Sequence, residues 1–253
     1  MFSWSEPAHR PIIIAHRGAS AVAPENTLAA FRQAIDDGAD AIEFDVRLTK
    51  DGEVVVIHDS RLQRTTDGSG CVRKSTWKEI RNLNAGSWFH RRFAKEKIPA
   101  LEDVLALVNG RIGVNIEIKA DRHDPGKLEI VDRCCNIIRQ YRTQHALLLS
   151  SFDYPFLKQA RNIFPTISIG ILTNPLFSPG DTALRRAKAL EARYIIVNGA
   201  MLRKRFVQNA HRFCAIAEYT VNSSHRIQRA LRYEVDALFT NDPRRIISLR
   251  TRS

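Results

Sequence analysis

The chain has 253 residues, 44% hydrophobic and 26% charged, a globular composition with length for one large α/β barrel or two smaller domains. No apolar run approaches the roughly 20 residues of a membrane-spanning helix, and Met1–Pro7 lacks the basic and apolar regions of a secretory signal. The formal charge of +12 comes with no zinc-finger spacing, no RNA-binding aromatic motif and no basic helix with a heptad partner, so it points to a solvated basic surface that attracts anionic substrate or lipid headgroups rather than to nucleic acid.

Short β-branched runs alternate with amphipathic segments along the chain. Ile12–Ala15 reads as a strand, Leu28–Asp36 as a helix and Ala41–Val46 as the next strand. Further strands are expected at Ile112–Ile118, Ala146–Leu149, Ile167–Leu172, Tyr194–Val197, Cys214–Tyr219 and Ala237–Thr240. The helices between and after them are expected at Leu101–Val108, Leu128–Tyr141, Pro155–Ile163, Thr182–Leu190, Met201–Ala210, His225–Tyr233 and Pro243–Leu249. This alternation predicts a parallel sheet, and at this length a (β/α)₈ TIM barrel. A doubly wound open sheet is the alternative, but no GxGxxG follows a strand.

Two segments break the rhythm. Glu53–Ile57 follows Asp51-Gly52, a hairpin signal, and should fold back antiparallel on the second strand, bringing His58 level with Asp45. Residues 60–97 are too long for an ordinary connection and hold Trp77 and Trp88; they read as a small cap inserted after the second strand of a single domain spanning 1–253.

The candidate chemistry clusters at strand ends. Along Ile42-Glu43-Phe44-Asp45-Val46 the two acids share one face, and along Ile116-Glu117-Ile118-Lys119 so do Glu117 and Lys119. In a barrel these faces converge at the C-terminal mouth. Three converging carboxylates either share a cation or have a proton forced onto one of them. An all-oxygen set suits one divalent cation, Mg²⁺ or Ca²⁺, with Mn²⁺ also admissible, better than Zn²⁺. A purely structural ion-pair network with Arg17 and Lys119 is the competing reading. His16 and His58 sit beside this set, with ordinary pKa values that suit acid/base work near neutrality. His9, His90, His123, His145, His211 and His225 lack such company and read as structural or surface residues. Glu25 reads as a helix-dipole partner, and Asn26 or Thr27 as a helix cap. Cys71, Cys134, Cys135 and Cys214 form no CxxC pair and read as reduced thiols of a cytoplasmic protein.

Taken in order, His16-Arg17-Gly18, Pro24-Glu25-Asn26-Thr27, Glu43-Phe44-Asp45, Thr49-Lys50-Asp51-Gly52, Val56-Ile57-His58-Asp59, Arg64-Thr65-Thr66-Asp67-Gly68, Asn115-Ile116-Glu117-Ile118-Lys119, Ser150-Ser151-Phe152-Asp153, Tyr219-Thr220-Val221-Asn222 and Thr240-Asn241-Asp242-Pro243 cover nearly the whole chain. Together they resemble the glycerophosphodiester phosphodiesterase family. The resemblance implies a TIM barrel with an insertion after its second strand, and hydrolysis of a small-molecule glycerophosphodiester to sn-glycerol 3-phosphate and an alcohol. Carried over, Glu43, Asp45 and Glu117 are the metal ligands, His16 and His58 the acid/base pair, and Arg17 and Lys119 the phosphate contacts; the sequence does not say which histidine is base and which acid, and His16 is taken here as the base. Tyr219 stands where the family often has tryptophan, on the wall of the glycerol pocket. A lysophospholipase D or phospholipase C-like enzyme acting on lipid is the nearest rival, one that would use weak peripheral membrane contact. A catalytically inactive phosphate- or phospholipid-binding protein is the rival from another class. The oligomeric state leaves no mark on the sequence.

Overall fold

A computed structural model describes residues 2–121, 124, 126–141, 143–175 and 180–250, those at 249 and 250 by backbone alone. The chain runs β1 (Ile12–His16), α1 (Leu28–Asp36), β2 (Ala41–Leu48), β3 (Val54–Val56), α2 (Trp77–Ile80), α3 (Leu101–Val108), β4 (Gly113–Ile118), α4 (Glu129–Arg139), β5 (Leu147–Ser151) and α5 (Tyr154–Ile163). It continues with β6 (Ser168–Thr173), α6 (Gly180–Ala189), β7 (Tyr194–Asn198), α7 (Lys204–Ala210), β8 (Ala215–Tyr219), α8 (Ser224–Arg232), β9 (Ala237–Thr240) and α9 (Pro243–Arg250). Strands β1, β2 and β4 to β9 pair in parallel in that order, and β9 pairs back onto β1, closing a (β/α)₈ barrel as expected. Short strand β3 lies antiparallel on β2, with Val46 opposite Val56.

Alternation along each strand builds two cores. Outward residues such as Ile13, Phe44, Ile116 and Leu149 pack against helix residues including Phe31, Leu101, Val131 and Leu157. Inward residues Ile12, Ile14, Ala41, Leu148, Tyr194, Ile196 and Phe239 fill the barrel. The segment between β3 and α3 has its own apolar cluster, in which Leu62, Val72, Ile80 and Ile98 close over Val55 and Ile57.

The strand ends differ slightly from the periodicity. β5 extends through Ser150 and Ser151, because register continues past the apolar run, with β4 at Ser150 and with β6 at Ser151. The expected helix Met201–Ala210 divides into a 3₁₀ turn at Gly199–Met201 and α7, the turn being capped by the Asn198 side chain at 2.9 Å from the Ala200 N–H.

The floor of the barrel is formed by a segment that carries no periodic signal. Trp4 is fully buried, donates its indole N–H to the Ala146 carbonyl at 2.8 Å and packs edge-on against Tyr194 at 5.5 Å. It thereby seals the inner core at the end opposite the polar mouth. Among the described residues no helix is long and apolar enough to cross a membrane. Removing the plug leaves a large cavity with an unpaired carbonyl, so Trp4→Ala should lower the unfolding free energy by about 3–5 kcal/mol in urea titrations; a loss below about 1 kcal/mol would show that the plug is dispensable.

Candidate active site

The mouth is assembled from the ends of neighbouring strands. His16 is in register with Glu43, Glu43 with Asn115, and Asp45 with Glu117. Inward alternation at these positions delivers three carboxylates to one point. Glu43, Asp45 and Glu117 are all buried, and one oxygen from each lies within 4.8 Å of the others. The hairpin returns His58 to this level, with the Ile57 N–H donating to the Asp45 carbonyl at 2.9 Å.

Each carboxylate has specific partners. Lys119 Nζ lies 3.2 Å from Asp45 Oδ1 and 2.5 Å from Glu117 Oε1. Arg17 donates its backbone N–H to Glu43 Oε2 at 2.9 Å, and its Nε is 3.2 Å from Asp45 Oδ2. Asn26 Nδ2 donates to Asp45 Oδ2 at 2.9 Å. Glu43 Oε1 is buried with no hydrogen-bond partner, and Asp45 Oδ1 meets Lys119 only as an ion pair, outside hydrogen-bond geometry. Buried carboxyl oxygens left without hydrogen-bond donors are a donor set that a hard divalent cation could take.

The loop after β1 is held in a costly conformation by its bonds to these acids. Arg17 and Asn26 both have positive φ, 57° and 58°, where side chains are disfavoured. The Asn26 N–H donates to the Arg17 carbonyl at 3.1 Å, and both side chains end on Asp45. At Gly18, φ is 80° and an added Cβ would lie 2.7 Å from Ala30, so only glycine passes between the loop and α1. Thr27 caps α1, accepting from the Ala30 N–H at 3.3 Å, whereas Glu25 pairs with Arg17 at 2.8 Å instead of serving the helix dipole alone.

The electrostatics separate the acids. Burial, reinforced by the charges of Asp45 and Glu117, pushes the Glu43 carboxyl well above the usual carboxylate range. Burial also raises Glu117. Burial would raise Asp45 too, but Lys119 and Arg17 outweigh it and hold this group far below that range. The two histidines differ in their partners. His16 Nδ1 lies 2.9 Å from Asn241 Oδ1, a neutral acceptor, and burial with the Arg17 charge lowers its pKa to about 4. His58 Nδ1 lies 2.6 Å from the carboxylate Asp59 Oδ1, and burial, with Lys119 and Arg17, moves its pKa down. Because both Nδ1 atoms face acceptors, both carry a proton there, and each Nε2 is left for chemistry.

A cavity of about 270 Å³ gathers these groups. Its walls include His16, Arg17, Glu43, His58, Glu117 and Lys119, together with Tyr219. Of the residues singled out from the sequence, only Asp45 lies beneath the wall, fully buried. Tyr219 donates its hydroxyl to the Thr173 carbonyl at 2.8 Å and meets Phe152 edge-on at 6.1 Å, making an aromatic side to the cavity. The partners of the site residues were not assigned from the sequence: Asn26 on Asp45, Asp59 on His58 and Asn241 on His16. Asp59 directly follows His58, and Asn241, just past the last strand, belongs to Thr240-Asn241-Asp242-Pro243; adjacency and motif are the marks these two residues leave in the sequence. His211 instead pairs with Asp236 at 2.8 Å, remote from the cavity, and His123 lies outside the described residues.

The glycerophosphoryl diester phosphodiesterase family model matches residues 16–245. A glycerophosphodiester phosphodiesterase of Caldanaerobacter subterraneus subsp. tengcongensis is 37% identical over 244 residues, covering 95% of this chain and 98% of that one. One from Bacillus altitudinis is 36% identical over 242 residues, covering 94% and 97%. Among solved structures, an Oleispira antarctica phosphodiesterase in complex with the product sn-glycerol-3-phosphate superposes with a TM-score of 0.89 at 30% identity, covering 96% of this chain and 97% of that one.

A cation entering the carboxylate cluster competes with protons for Glu43 and Glu117, whose pKa values burial raises. The bound state therefore holds fewer protons than the free state, and affinity rises with pH. Calorimetric Ca²⁺ titrations in buffers of different ionisation enthalpy should give apparent enthalpies that differ in proportion, with tighter binding at higher pH. Buffer-independent enthalpies would show that the cluster is already fully ionised.

Proposed function

The chain belongs to the glycerophosphoryl diester phosphodiesterase family, and from that premise we propose that it hydrolyses small-molecule glycerophosphodiesters to sn-glycerol 3-phosphate and an alcohol, with residues 1–253 acting as one catalytic domain and 60–97 as its cap. The observation that carries this reading is the meeting, at one cavity, of two histidines with differently charged partners and a three-carboxylate cluster, Glu43 and Glu117 on the wall and Asp45 beneath it. The Oleispira antarctica relative bound to sn-glycerol-3-phosphate supports the same product here.

Glu43, Asp45 and Glu117 would hold one divalent cation, Mg²⁺ or Ca²⁺ with Mn²⁺ as a substitute. When bound, that ion supplies positive charge against the charge developing on the phosphate and a template for oxygen ligands. The chain's own residues do the rest. Arg17 and Lys119, already beside the acids, meet the phosphodiester's oxygens from one side of the cavity. His16, neutral near pH 7 with Nδ1–H tied to Asn241, offers the Nε2 lone pair to the attacking hydroxyl, from water or from the substrate's own glycerol. His58, whose Nδ1–H is held by the Asp59 carboxylate against the burial that lowers its pKa, gives the departing alkoxide a proton from Nε2 in the fraction of enzyme in which it is the imidazolium, and is left as the neutral Nδ1–H form. Tyr219 and Phe152 wall the glycerol. The four cysteines are unbridged and three are buried, consistent with a cytoplasmic protein.

The test is ³¹P NMR of glycerophosphocholine and glycerophosphoethanolamine incubated with the protein. Sn-glycerol 3-phosphate should appear with Mg²⁺ or Ca²⁺ and vanish with EDTA or in Glu43→Ala. His16→Ala and His58→Ala should each lose about 10²–10⁴-fold in kcat while remaining folded. Wild-type turnover of lysolipids but not of the water-soluble diesters would replace this reading with a lysophospholipase D.

A further inference from the structure

Arg64 lies between β3 and α2 and is not among the residues lining the cavity, yet its guanidinium makes four hydrogen bonds to two carboxylates beside the mouth. Its Nε donates to Asp59 Oδ2 at 2.6 Å and its Nη2 to Asp59 Oδ1 at 3.1 Å. On the other side, Nη1 donates to Glu25 Oε2 at 2.9 Å and Nη2 to Glu25 Oε1 at 2.7 Å. Asp59 is the carboxylate on His58 Nδ1, and Glu25 accepts from Arg17 Nη1 at 2.8 Å. One guanidinium thus closes a chain from His58 through Asp59, Arg64 and Glu25 to Arg17, which ends on Asp45.

The parts of this chain come from three different places. His58 and Asp59 follow the hairpin strand β3, Arg64 belongs to the inserted segment, and Glu25 and Arg17 belong to the loop between β1 and α1. Asp59 and Glu25 are both anionic and would repel if brought together without a cation. A planar fork with five donors can bond two carboxylates in two directions at once; an ammonium is a point charge without that geometry.

Resting on the catalytic reading above, we propose that Arg64 is a positioning residue for the phosphodiesterase reaction: by clamping Asp59 and Glu25 together it fixes His58 in its Nδ1–H form with Nε2 toward the cavity, and holds Arg17 beside the phosphate position. It touches neither substrate nor reacting atoms. Its loss leaves Asp59 free to swing, so the histidine samples other orientations. A misplacement of about 1 Å in such a group costs on the order of 10²-fold in rate.

The experiment compares wild type with Arg64→Lys, Arg64→Gln and Arg64→Gly in steady-state hydrolysis of glycerophosphocholine, with the exposed Arg61→Gln as a control expected at the wild-type rate. The Arg64 variants should lose about 10²-fold in kcat, Arg64→Lys included. Because the Arg64 side chain is 44% exposed, the gap in Arg64→Gly is reachable from solvent. Millimolar guanidinium should restore at least about tenfold of the lost rate, and ammonium should not. Imidazole ¹⁵N NMR should show His58 with a protonated Nδ1 in wild type and a mixture of tautomers in Arg64→Gln. Arg64→Lys at the wild-type rate overturns the proposal. So does a slow Arg64→Gly that guanidinium fails to rescue together with an unchanged His58 tautomer, which would mark a merely structural role. If Arg64→Gly does not fold, the Arg64→Lys rate and the tautomer reading decide alone. A wild type that is inactive, or a His58→Ala variant that is fully active, instead identifies the catalytic reading as the failure, and the proposal falls with it.

Discussion

Three carboxylates buried within 4.8 Å of one another set the terms for everything at the barrel mouth. Like charges at that spacing in a poorly solvated place repel strongly, and the structure answers with cations rather than with distance. Lys119 spans two of the acids, Arg17 spans two, and Asn26 adds a donor to Asp45 Oδ2, the oxygen that Arg17 also faces. The compensation stays incomplete: Glu43 Oε1 has no donor, and Glu43 is pushed toward its protonated form. A cluster built only for stability would have every oxygen satisfied or would be apolar. Incomplete compensation is what a site keeps when a further positive charge completes it.

The strained loop after β1 follows from the same constraint. A residue with positive φ is disfavoured, and two of them, Arg17 and Asn26, occur in one short connection. Both are held there by bonds to Asp45 and Glu43, so the acids orient the loop as much as the loop serves the acids. That reciprocity fixes the cation-rich side of the cavity before any substrate arrives, which is how preorganised electrostatics contribute to rate.

Much of this was legible in the sequence because it depends on local alternation. Period-two patterning put Glu43 with Asp45, and Glu117 with Lys119, on one face, and the β/α rhythm then required those faces to meet. The Asp51-Gly52 turn brought His58 back beside them. What escaped the reading depends on pairings between distant positions. Asn241 meets His16 across 225 residues, and Trp4 reaches the Ala146 carbonyl across 142. No periodicity encodes such contacts. Glu25 looked like a helix-end residue because its local context is that of a cap; its actual partners, Arg17 and Arg64, come together only when the inserted segment packs against the loop between β1 and α1.

The central claim is that the carboxylate cluster is a cation site, and diffraction tests it most directly. Crystals soaked in Mn²⁺ and measured at its absorption edge should show one anomalous peak among Glu43, Asp45 and Glu117, within about 2.0–2.6 Å of an oxygen from each, as hard-cation coordination requires. A soaked crystal with the cluster intact and no peak there, Lys119 and Arg17 alone balancing the acids, would contradict the account.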